Sequence, residues 1–438
     1  MHEKYGDFVR TGPREISINR ASAVSTIYGS PSPCTKSPWY SHVSDDKTMT
    51  SLNSTRDPDV HRRRRKAWDR GFSIKAIATY EPSVRSKVNV LATQIRARLN
   101  KPVDISMWTM FLAFDVMGLV GFSEDFHQLE DGVEQAAIKE LHQQMLFLGI
   151  LKPSPWILTI IGAIQGLVGD YGQFMTVCTD RVADKKAKWA AQPEEAGEKV
   201  PKDVISWLLK AIEEKDPNAP PGNQALNEDC RLMMIAGSDT TGVTLAHAFY
   251  YLAKNPAKYK SLQKELDNNF GSNSDPSQFS NDKLKDLSYL EAVINETLRL
   301  KPAVPSGQPR LTPPEGLQID EVWVPGDTIV VLPQYVLQRD ERHFPSGSEF
   351  IPERWLDEKN ELVKHDEAFF PFQLGRYGCV GKQLALMELR AVIARLAYDF
   401  DLAFAPGEDG VSFDADSMDT FTFTIGSLNL VFTDRARK

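Results

Sequence analysis

The chain has 438 residues, of which 42% are hydrophobic and 25% are charged, and these fractions are ordinary for a globular protein. Its net charge of −8 at neutral pH argues against a general nucleic-acid-binding protein. Its four cysteines form no CxxC pair and have no regular spacing, so neither a disulfide scaffold nor a zinc ribbon is expected.

Helical periodicity accounts for most of the predicted secondary structure. Helices are predicted over 61–70, 83–100, 108–120, 133–149, 172–191, 202–214, 228–255, 283–300 and 382–398. Strands are predicted near 15–18, as a hairpin over 317–334 that turns at PGD, and as a pair over 420–433. We therefore expect a mainly α protein with small β-sheets, of the α+β class, and one domain spanning residues 1–438.

The most apolar segment of the chain is 156–168. It is shorter than the roughly 18 residues that a membrane-spanning helix needs. We interpret it as a core helix or as a helix that dips into a membrane surface.

A basic run, HRRRRKAWDRGFS, occupies residues 61–73. Such a run is most often a solvated face or a targeting tract. On a helix, however, His61 and Arg65 would share one face at a spacing of four residues. Together they could bind a pair of carboxylates, because arginine binds a carboxylate through two parallel N–H bonds.

The predicted helix 228–255 is apolar but carries weak helix formers at its middle, among them Gly237, Asp239 and Thr240. One interpretation is a pair of helices, with Ser238 or Asp239 capping the second. The other is a loosened turn in one helix, where Thr240 binds a ligand or a water molecule and Asp239 supplies protons.

Two charged residues in ETLR, Glu296 and Arg299, share a helix face at a spacing of three residues. Such a pair is usually a weak surface ion pair. Apolar residues flank this one, so burial is plausible, and the segment IPERWL at 351–356 adds a third charge, Arg354.

The segment FQLGRYGCVG, residues 372–381, places Cys379 in a glycine-rich turn before the helix 382–398. A helix N-terminus favours a thiolate, which can be a nucleophile, a redox centre or a metal ligand. The alternative is a small buried hydrophobic residue. Because no protein co-ligand lies nearby in the sequence, a metal here would be an iron held by a macrocycle.

The order and spacing of these motifs resemble the cytochrome P450 family of haem-thiolate monooxygenases. AGSDTT at 236–241 is similar to its central-helix signature, and Glu296 and Arg299 match its ExxR pair. PERW at 352–355 and FQLGRYGCVG match two further family segments. This chain departs from the family at Tyr377, where the family usually has an arginine two residues before the cysteine.

The resemblance implies haem b between the long central helix and the helix after the cysteine, with Cys379 as the iron ligand. The cofactor-binding residues that it implies are His61, Arg65, Arg310, Phe372, Gly375, Arg376, Tyr377, Cys379 and Gly381. Asp239 and Thr240 would be catalytic, delivering the protons that O–O cleavage needs. A structural role follows for Glu296, Arg299 and Arg354.

The resemblance also implies a function: insertion of one oxygen atom from O2 into an apolar small molecule, in fungal secondary metabolism. Electrons would come from NADPH through a separate reductase. Oxidative coupling, isomerisation or dehydration on the same fold is the alternative, and a haem sensor or carrier is a third possibility. The presence of Asp239 and Thr240 favours the monooxygenase.

The expected location is the cytosolic face of the endoplasmic reticulum membrane. We expect the full-length form to be anchored there by a helix upstream of Met1, and the chain without that helix to be soluble. The segments expected to line the substrate cavity are 36–58, 145–168, 233–236, 303–306 and 421–425.

Overall fold

Helices make up most of the fold, and the predicted class, mainly α with small β-sheets, is confirmed. The computed structural model describes residues 1–42, 50–151, 154, 157, 160, 171–194, 198–271, 279–356 and 361–435. The first helices are α1 (His2–Tyr5), α2 (Ser22–Tyr28), α3 (Trp39–His42), α4 (Pro58–Gly71), α5 (Ile74–Arg96), α6 (Ile105–Phe122), α7 (Gln128–Asp131), α8 (Ala136–Leu151) and α9 (Tyr171–Ala191). The remaining helices are α10 (Val204–Glu213), α11 (Asn223–Lys254), α12 (Pro256–Phe270), α13 (Asn281–Leu284), α14 (Ser288–Leu300), α15 (Gln334–Leu337), α16 (Lys382–Asp399) and α17 (Val411–Ala415).

The strands form small sheets at the edge of the helical part. They are β1 (Phe8–Gly12), β2 (Glu15–Ile18), β3 (Thr35–Lys36), β4 (Pro102–Asp104), β5 (Arg310–Leu311), β6 (Leu317–Ile319), β7 (Val322–Val324), β8 (Ile329–Val331), β9 (Phe400–Phe404), β10 (Met418–Thr420), β11 (Thr422–Thr424) and β12 (Asn429–Asp434). The largest sheet has the order β1-β2-β8-β5-β3, in which only β2 and β8 are parallel. This sheet brings β3, from the N-terminal part of the chain, beside β5.

Two predicted strand pairings are wrong. The hairpin pairs β6 with β7 and turns at Asp320 and Glu321, whereas β8 leaves it to pair with β2 and β5. In the C-terminal region β11 pairs with β10, whereas β12 lies between β4 and β9. Pairing between strands that are distant in the chain leaves no local signal, which explains both errors.

Three helix predictions also need correction. Helix α5 begins at Ile74 instead of 83, because the Ser73 hydroxyl caps it by accepting from the backbone N–H of Ala76 and because it continues through Pro82. The predicted helix 283–300 is interrupted, so that it becomes α13 and α14. Helix α12 was not predicted.

One helix in the described part of the chain, α6, is long and apolar enough to cross a membrane. However, 83% of that stretch is buried within the protein, as in a core helix. Of the apolar segment 156–168, all but residues 157 and 160 lies outside the described residues.

The central helix α11 is continuous, so the two-helix interpretation is wrong. It packs against α6, and a Cβ atom at Gly237 would lie 2.4 Å from the sulfur of Met117. At Gly242 a Cβ atom would lie 2.5 Å from the sulfur of Met110. The two glycines thus permit close contact between two buried helices, and α11 also packs against α16.

Candidate active site

A cavity of about 810 Å³ lies between α11 and the cysteine loop, which we define as residues 372–381. This volume is in the range of pockets that bind small molecules. All five predicted lining segments contribute to the wall. Its apolar and aromatic residues include Trp39, Met117, Leu141, Met145, Met233, Ile235, Val304, Phe372 and Phe421.

Cys379 lies in the wall of this cavity, and its side chain is exposed towards it. Its backbone N–H donates to the carbonyl oxygen of Phe372 at 2.8 Å, which closes the loop. Gly375 has a φ of +60°, and a Cβ atom there would lie 2.6 Å from the carbonyl oxygen of Tyr28. Glycine is therefore required at 375 for both the turn and the contact with α2.

The pKa of the Cys379 thiol corrects one expectation from the sequence. The sulfur is open to the cavity, but the cavity lies inside the protein, and the surrounding protein atoms desolvate the thiol and raise its pKa. Backbone N–H groups of Gly381 and Lys382 and the charge of Arg65 oppose the rise in pKa. Burial outweighs the helix N-terminus, so the protein alone favours the thiol. A bound metal ion would reverse this balance, because it deprotonates a coordinating thiol.

Basic side chains line the same end of the cavity, and we call Lys36, His61 and Arg65 the basic group. Arg65 donates to the carbonyl oxygen of Gly378 at 2.6 Å and pairs with Asp69 at 2.7 Å. Lys36 and His61 have no carboxylate partner among the described residues. Burial and the neighbouring positive charges lower the pKa of His61 to about 3.

The side chain of Tyr377 lies at the centre of these basic residues. Its ring packs edge-on against His61, with ring centroids 4.8 Å apart, and the guanidinium of Arg310 lies 4.8 Å from its centroid. Arg376 instead donates to the carbonyl oxygen of Ser32 at 2.7 Å. Arg310, Gly375 and Arg376 do not form part of the cavity wall, whereas Phe372, Tyr377 and Gly381 do.

The two predicted catalytic residues of α11 face different surroundings. Thr240 lines the cavity, and its hydroxyl donates to the carbonyl oxygen of Ala236 at 2.7 Å. Asp239 is buried outside the cavity wall, and its carboxylate lies 3.4 Å from Nε2 of His142 on α8. The other ring nitrogen of His142 lies 2.8 Å from the carboxylate of Glu134.

His142 therefore joins a buried carboxylate to a half-buried one. Burial alone would lower the pKa of His142, but the hydrogen bonds and charges of Asp239 and Glu134 outweigh it and raise the pKa to about 10. At neutral pH the ring is charged and holds a proton on each nitrogen.

Glu296, Arg299 and Arg354 are brought together in the core, and we call them the Glu296 cluster. All three side chains are fully buried. The Glu296 carboxylate accepts from Nε of Arg299 at 2.8 Å and from Nε of Arg354 at 2.9 Å. It also accepts from the indole N–H of Trp355 at 3.0 Å. Arg299 donates further to carbonyl oxygens of the segment 338–349, so the cluster fastens α14 to that segment.

Sequence patterns did not single out three polar residues of the site, Lys36, His142 and Glu388. Glu388 is buried in α16 and lines the cavity, and burial raises its pKa well above the usual range. Lys36 and His142 stand alone in their segments, and their partners are distant in the chain. Only the spacing of Glu388 on an otherwise apolar helix face could have drawn attention to it.

The family model described as Cytochrome P450 matches residues 1–431 of this chain. The chain therefore belongs to the cytochrome P450 family, whose members bind haem iron and use it for oxidation. The enzyme is an oxidoreductase of the monooxygenase type, which takes a small-molecule substrate and electrons from a redox partner.

Fungal members of this family are similar to the whole chain. It is 40% identical over 435 residues to cytochrome P450 monooxygenase FCK2 of Fusarium pseudograminearum, which covers 99% of this chain and 76% of that protein. It is 35% identical to tryprostatin B 6-hydroxylase of Aspergillus fumigatus, covering 99% of this chain and 75% of that protein. The fold matches the crystal structure of the cytochrome P450DA heme domain with a TM-score of 0.80, at 17% identity, over 98% of this chain and 90% of that one.

The residues of the cavity fit a haem. Cys379 offers sulfur as an iron ligand, and apolar side chains line the space above it. Haem carries two propionate carboxylates, and at the basic end of the cavity Lys36 and His61 have no carboxylate partner among the described residues. Phe372 and Gly381 would flank the ring beside the sulfur.

Proposed function

We propose that this chain is a single haem-thiolate monooxygenase domain, spanning residues 1–438, that hydroxylates an apolar, ring-containing small molecule of fungal secondary metabolism. The observation that carries the proposal is the apolar cavity between Cys379 and Thr240, with the basic group Lys36, His61 and Arg65 at one end. Oxidative coupling, isomerisation and dehydration would not require a hydroxyl group and a proton supply on the opposite wall.

The proposal assigns the haem to the cavity, where Cys379 would ligate the iron through its sulfur. His61, Arg65 and Tyr377 would hold its propionates, whereas Phe372 and Gly381 would pack beside the sulfur. Arg310 would act on this site through Tyr377, against whose ring it lies. Arg376 would act by holding the cysteine loop to Ser32, and Gly375 by allowing the loop to approach α2.

A thiolate-ligated haem activates O2 for insertion of one oxygen atom into a C–H bond. The role of this chain's own residues is to deliver protons to that site. The Thr240 hydroxyl holds a proton at the cavity wall. Asp239 would resupply it, receiving protons from His142 and, at the surface, from Glu134.

The cavity wall supports the choice of substrate class. The rings of Trp39 and Phe421 stack with their centroids 5.0 Å apart, and both line the cavity. Glu228 and Arg231, which pair with each other, add a polar region to the wall. A substrate with a planar ring and a polar group would match both features, and tryprostatin B 6-hydroxylase is among the similar proteins.

The electron donor would be an NADPH-dependent reductase that docks near the cysteine loop. Arg62, Arg63 and Lys66 are exposed on α4, whose Arg65 contacts that loop. A membrane-bound reductase would require the enzyme to work at the endoplasmic reticulum surface.

The test is a panel of apolar fungal metabolites added to the haem-loaded protein. A ligand of the cavity should shift the haem absorption from low spin to high spin. A monooxygenase should then form a product that contains one atom of 18O from 18O2 when NADPH and the reductase are supplied. Products without 18O from every binding compound would favour the alternative chemistries.

A further inference from the structure

Lys36 is the last residue of strand β3, and it is 2% exposed. Its Nζ donates to the carbonyl oxygens of Leu52 at 3.0 Å and Asn53 at 2.7 Å. A lysine ammonium has three N–H donors, so one remains after these two bonds. Because Lys36 lines the cavity, that donor can reach a ligand in it.

The surroundings of Lys36 are positively charged. Burial and the charges of Arg310, Arg64 and Arg65 lower its pKa well below the usual value. No carboxylate of the described residues forms an ion pair with it. A buried ammonium without a counter-ion is costly, and a carboxylate of a ligand in the cavity would hold Lys36 in its charged form with three N–H donors.

Tyr377 lies next to Lys36 at the position where the family usually has an arginine. The Nζ atom of Lys36 lies 5.0 Å from the centroid of the Tyr377 ring, on which the guanidinium of Arg310 also packs. The Tyr377 hydroxyl is buried and has no hydrogen-bond partner among the described residues. Arg376 of the cysteine loop lies farther from this ring, at 5.9 Å from its centroid, and donates to Ser32 instead. The positive charges nearest the ring are therefore Arg310 on β5 and Lys36 on β3, and of these two only Lys36 lines the cavity.

We infer that Lys36 is a cofactor-binding residue whose ammonium pairs with a haem propionate and replaces the arginine that the cysteine loop lacks. The inference rests on the proposed function, since it needs a haem in the cavity. Lys36 lies 341 positions before Tyr377 in the sequence, which explains why no motif contains both. The sheet order β5-β3 is what brings it there.

A purely structural role is the competing explanation, since Lys36 also fastens the backbone of Leu52 and Asn53. The two roles differ in what can replace the lysine. An arginine at 377 can restore a positive charge beside a propionate. It cannot restore the hydrogen bonds to Leu52 and Asn53, because those are made by the side chain at 36.

The experiment measures the rate at which the full chain loses haem to an excess of apomyoglobin. Lys36→Met should increase this rate by about tenfold or more, the effect of removing one hydrogen bond to a charged group. Lys36→Arg should retain haem more firmly than Lys36→Met. The double variant Lys36→Met with Tyr377→Arg should return the rate to near that of the wild type, and Lys66→Met, at an exposed position, should leave it unchanged.

Haem dimethyl ester, which has no propionate charge, sharpens the test. The wild type and Lys36→Met should lose this ester at similar rates. Should Lys36→Met accumulate without haem, the double variant should still accumulate haem-loaded protein. Equal haem loss by wild type and Lys36→Met, or no rescue by Tyr377→Arg, would overturn the inference. Failure of the proposed function looks different, because the wild type would then bind no haem through Cys379.

Discussion

The Glu296 cluster and the basic group are both sets of ionisable side chains inside the protein, but in the basic group only Arg65 has a carboxylate partner among the described residues, Asp69. In the Glu296 cluster one carboxylate lies between two guanidinium groups, and carbonyl oxygens accept most of the remaining N–H groups. Lys36 and His61 of the basic group line the cavity and have no carboxylate partner among the described residues. A cluster whose charges are all paired stabilises the fold, whereas a set of basic side chains that lack carboxylate partners can bind a ligand of opposite charge.

The largest effect is expected at the cavity, for the substitution Cys379→Ala. The variant should lack the thiolate-type spectrum of the carbon monoxide complex and all monooxygenase activity, because alanine offers no iron ligand. Cys178→Ala is the matched control, since that buried cysteine contacts the sulfur of Met234 away from the cysteine loop. A variant at 379 that keeps the thiolate-type spectrum would contradict the assignment.

The substitution Glu296→Ala disrupts the Glu296 cluster. Removing the carboxylate leaves Arg299 and Arg354 buried without a counter-charge, at a cost of about 3–5 kcal/mol in the free energy of unfolding. We expect little folded, haem-loaded protein, measured by the yield and by urea unfolding. Asp59→Ala, which breaks an exposed pair with Arg62 at the same spacing, should change stability little. Normal folding and activity of Glu296→Ala would mean that the cluster is dispensable.

The cavity wall opposite Cys379 is tested by Thr240→Ala. Substrate should still bind and shift the haem spectrum, but the product formed per NADPH should fall by roughly tenfold or more, because a positioned proton donor is lost. Hydrogen peroxide should be released in its place. Thr240→Ser keeps the hydroxyl and should retain most of the coupling. If Thr240→Ala forms as much product per NADPH as the wild type, Thr240 has no catalytic role.

The smallest effect is expected for the hydrogen-bonded series Glu134–His142–Asp239. Its charges are paired, as in the Glu296 cluster, but the series extends from the protein interior to the surface at Glu134. His142→Gln should slow turnover moderately without changing substrate binding. Asp239→Asn should do the same, whereas His127→Gln, at an exposed position, should not. Turnover of His142→Gln equal to that of the wild type would exclude this route for protons.

The protonation of His142 in this series should also make the stability of the fold depend on pH. Because the folded-state pKa of His142 is raised to about 10 from 6.5, protonation of His142 stabilises the fold fully below about pH 6.5. This contribution is lost as the pH rises towards 10. The difference in melting temperature between wild type and His142→Gln should therefore shrink over this range. A difference that is constant from pH 6 to pH 10 would mean that His142 is not held charged.

Local motifs made much of this site predictable, because their members are close in the sequence. The turn before α16, the pair Glu296 and Arg299 on one helix face, and the weak helix formers of α11 all follow from spacing and propensity. The position of Cys379 relative to Thr240 could be anticipated only through the family resemblance. Its thiol pKa was misjudged, because burial depends on packing that spacing does not reveal.

Contacts between distant segments could not be predicted in this way. The place of Lys36 depends on β3 pairing with β5, and that of Asp239 on which residue of α8 lies opposite it. For the same reason the partners of β8 and β12 were wrongly assigned. Tertiary contacts of this kind have no period in the sequence.

The contact between Arg376 and Ser32 joins residues that are 344 positions apart in the chain. The ribosome releases the N-terminal residues of this contact long before it makes the C-terminal ones. The cavity wall contains Trp39 as well as Cys379 and Phe421, so it can close only after the ribosome has made the cysteine loop and the strands that follow it. Cofactor capture must then follow the synthesis of these residues, and until that point the apolar side chains of the N-terminal part of the wall lack their cover.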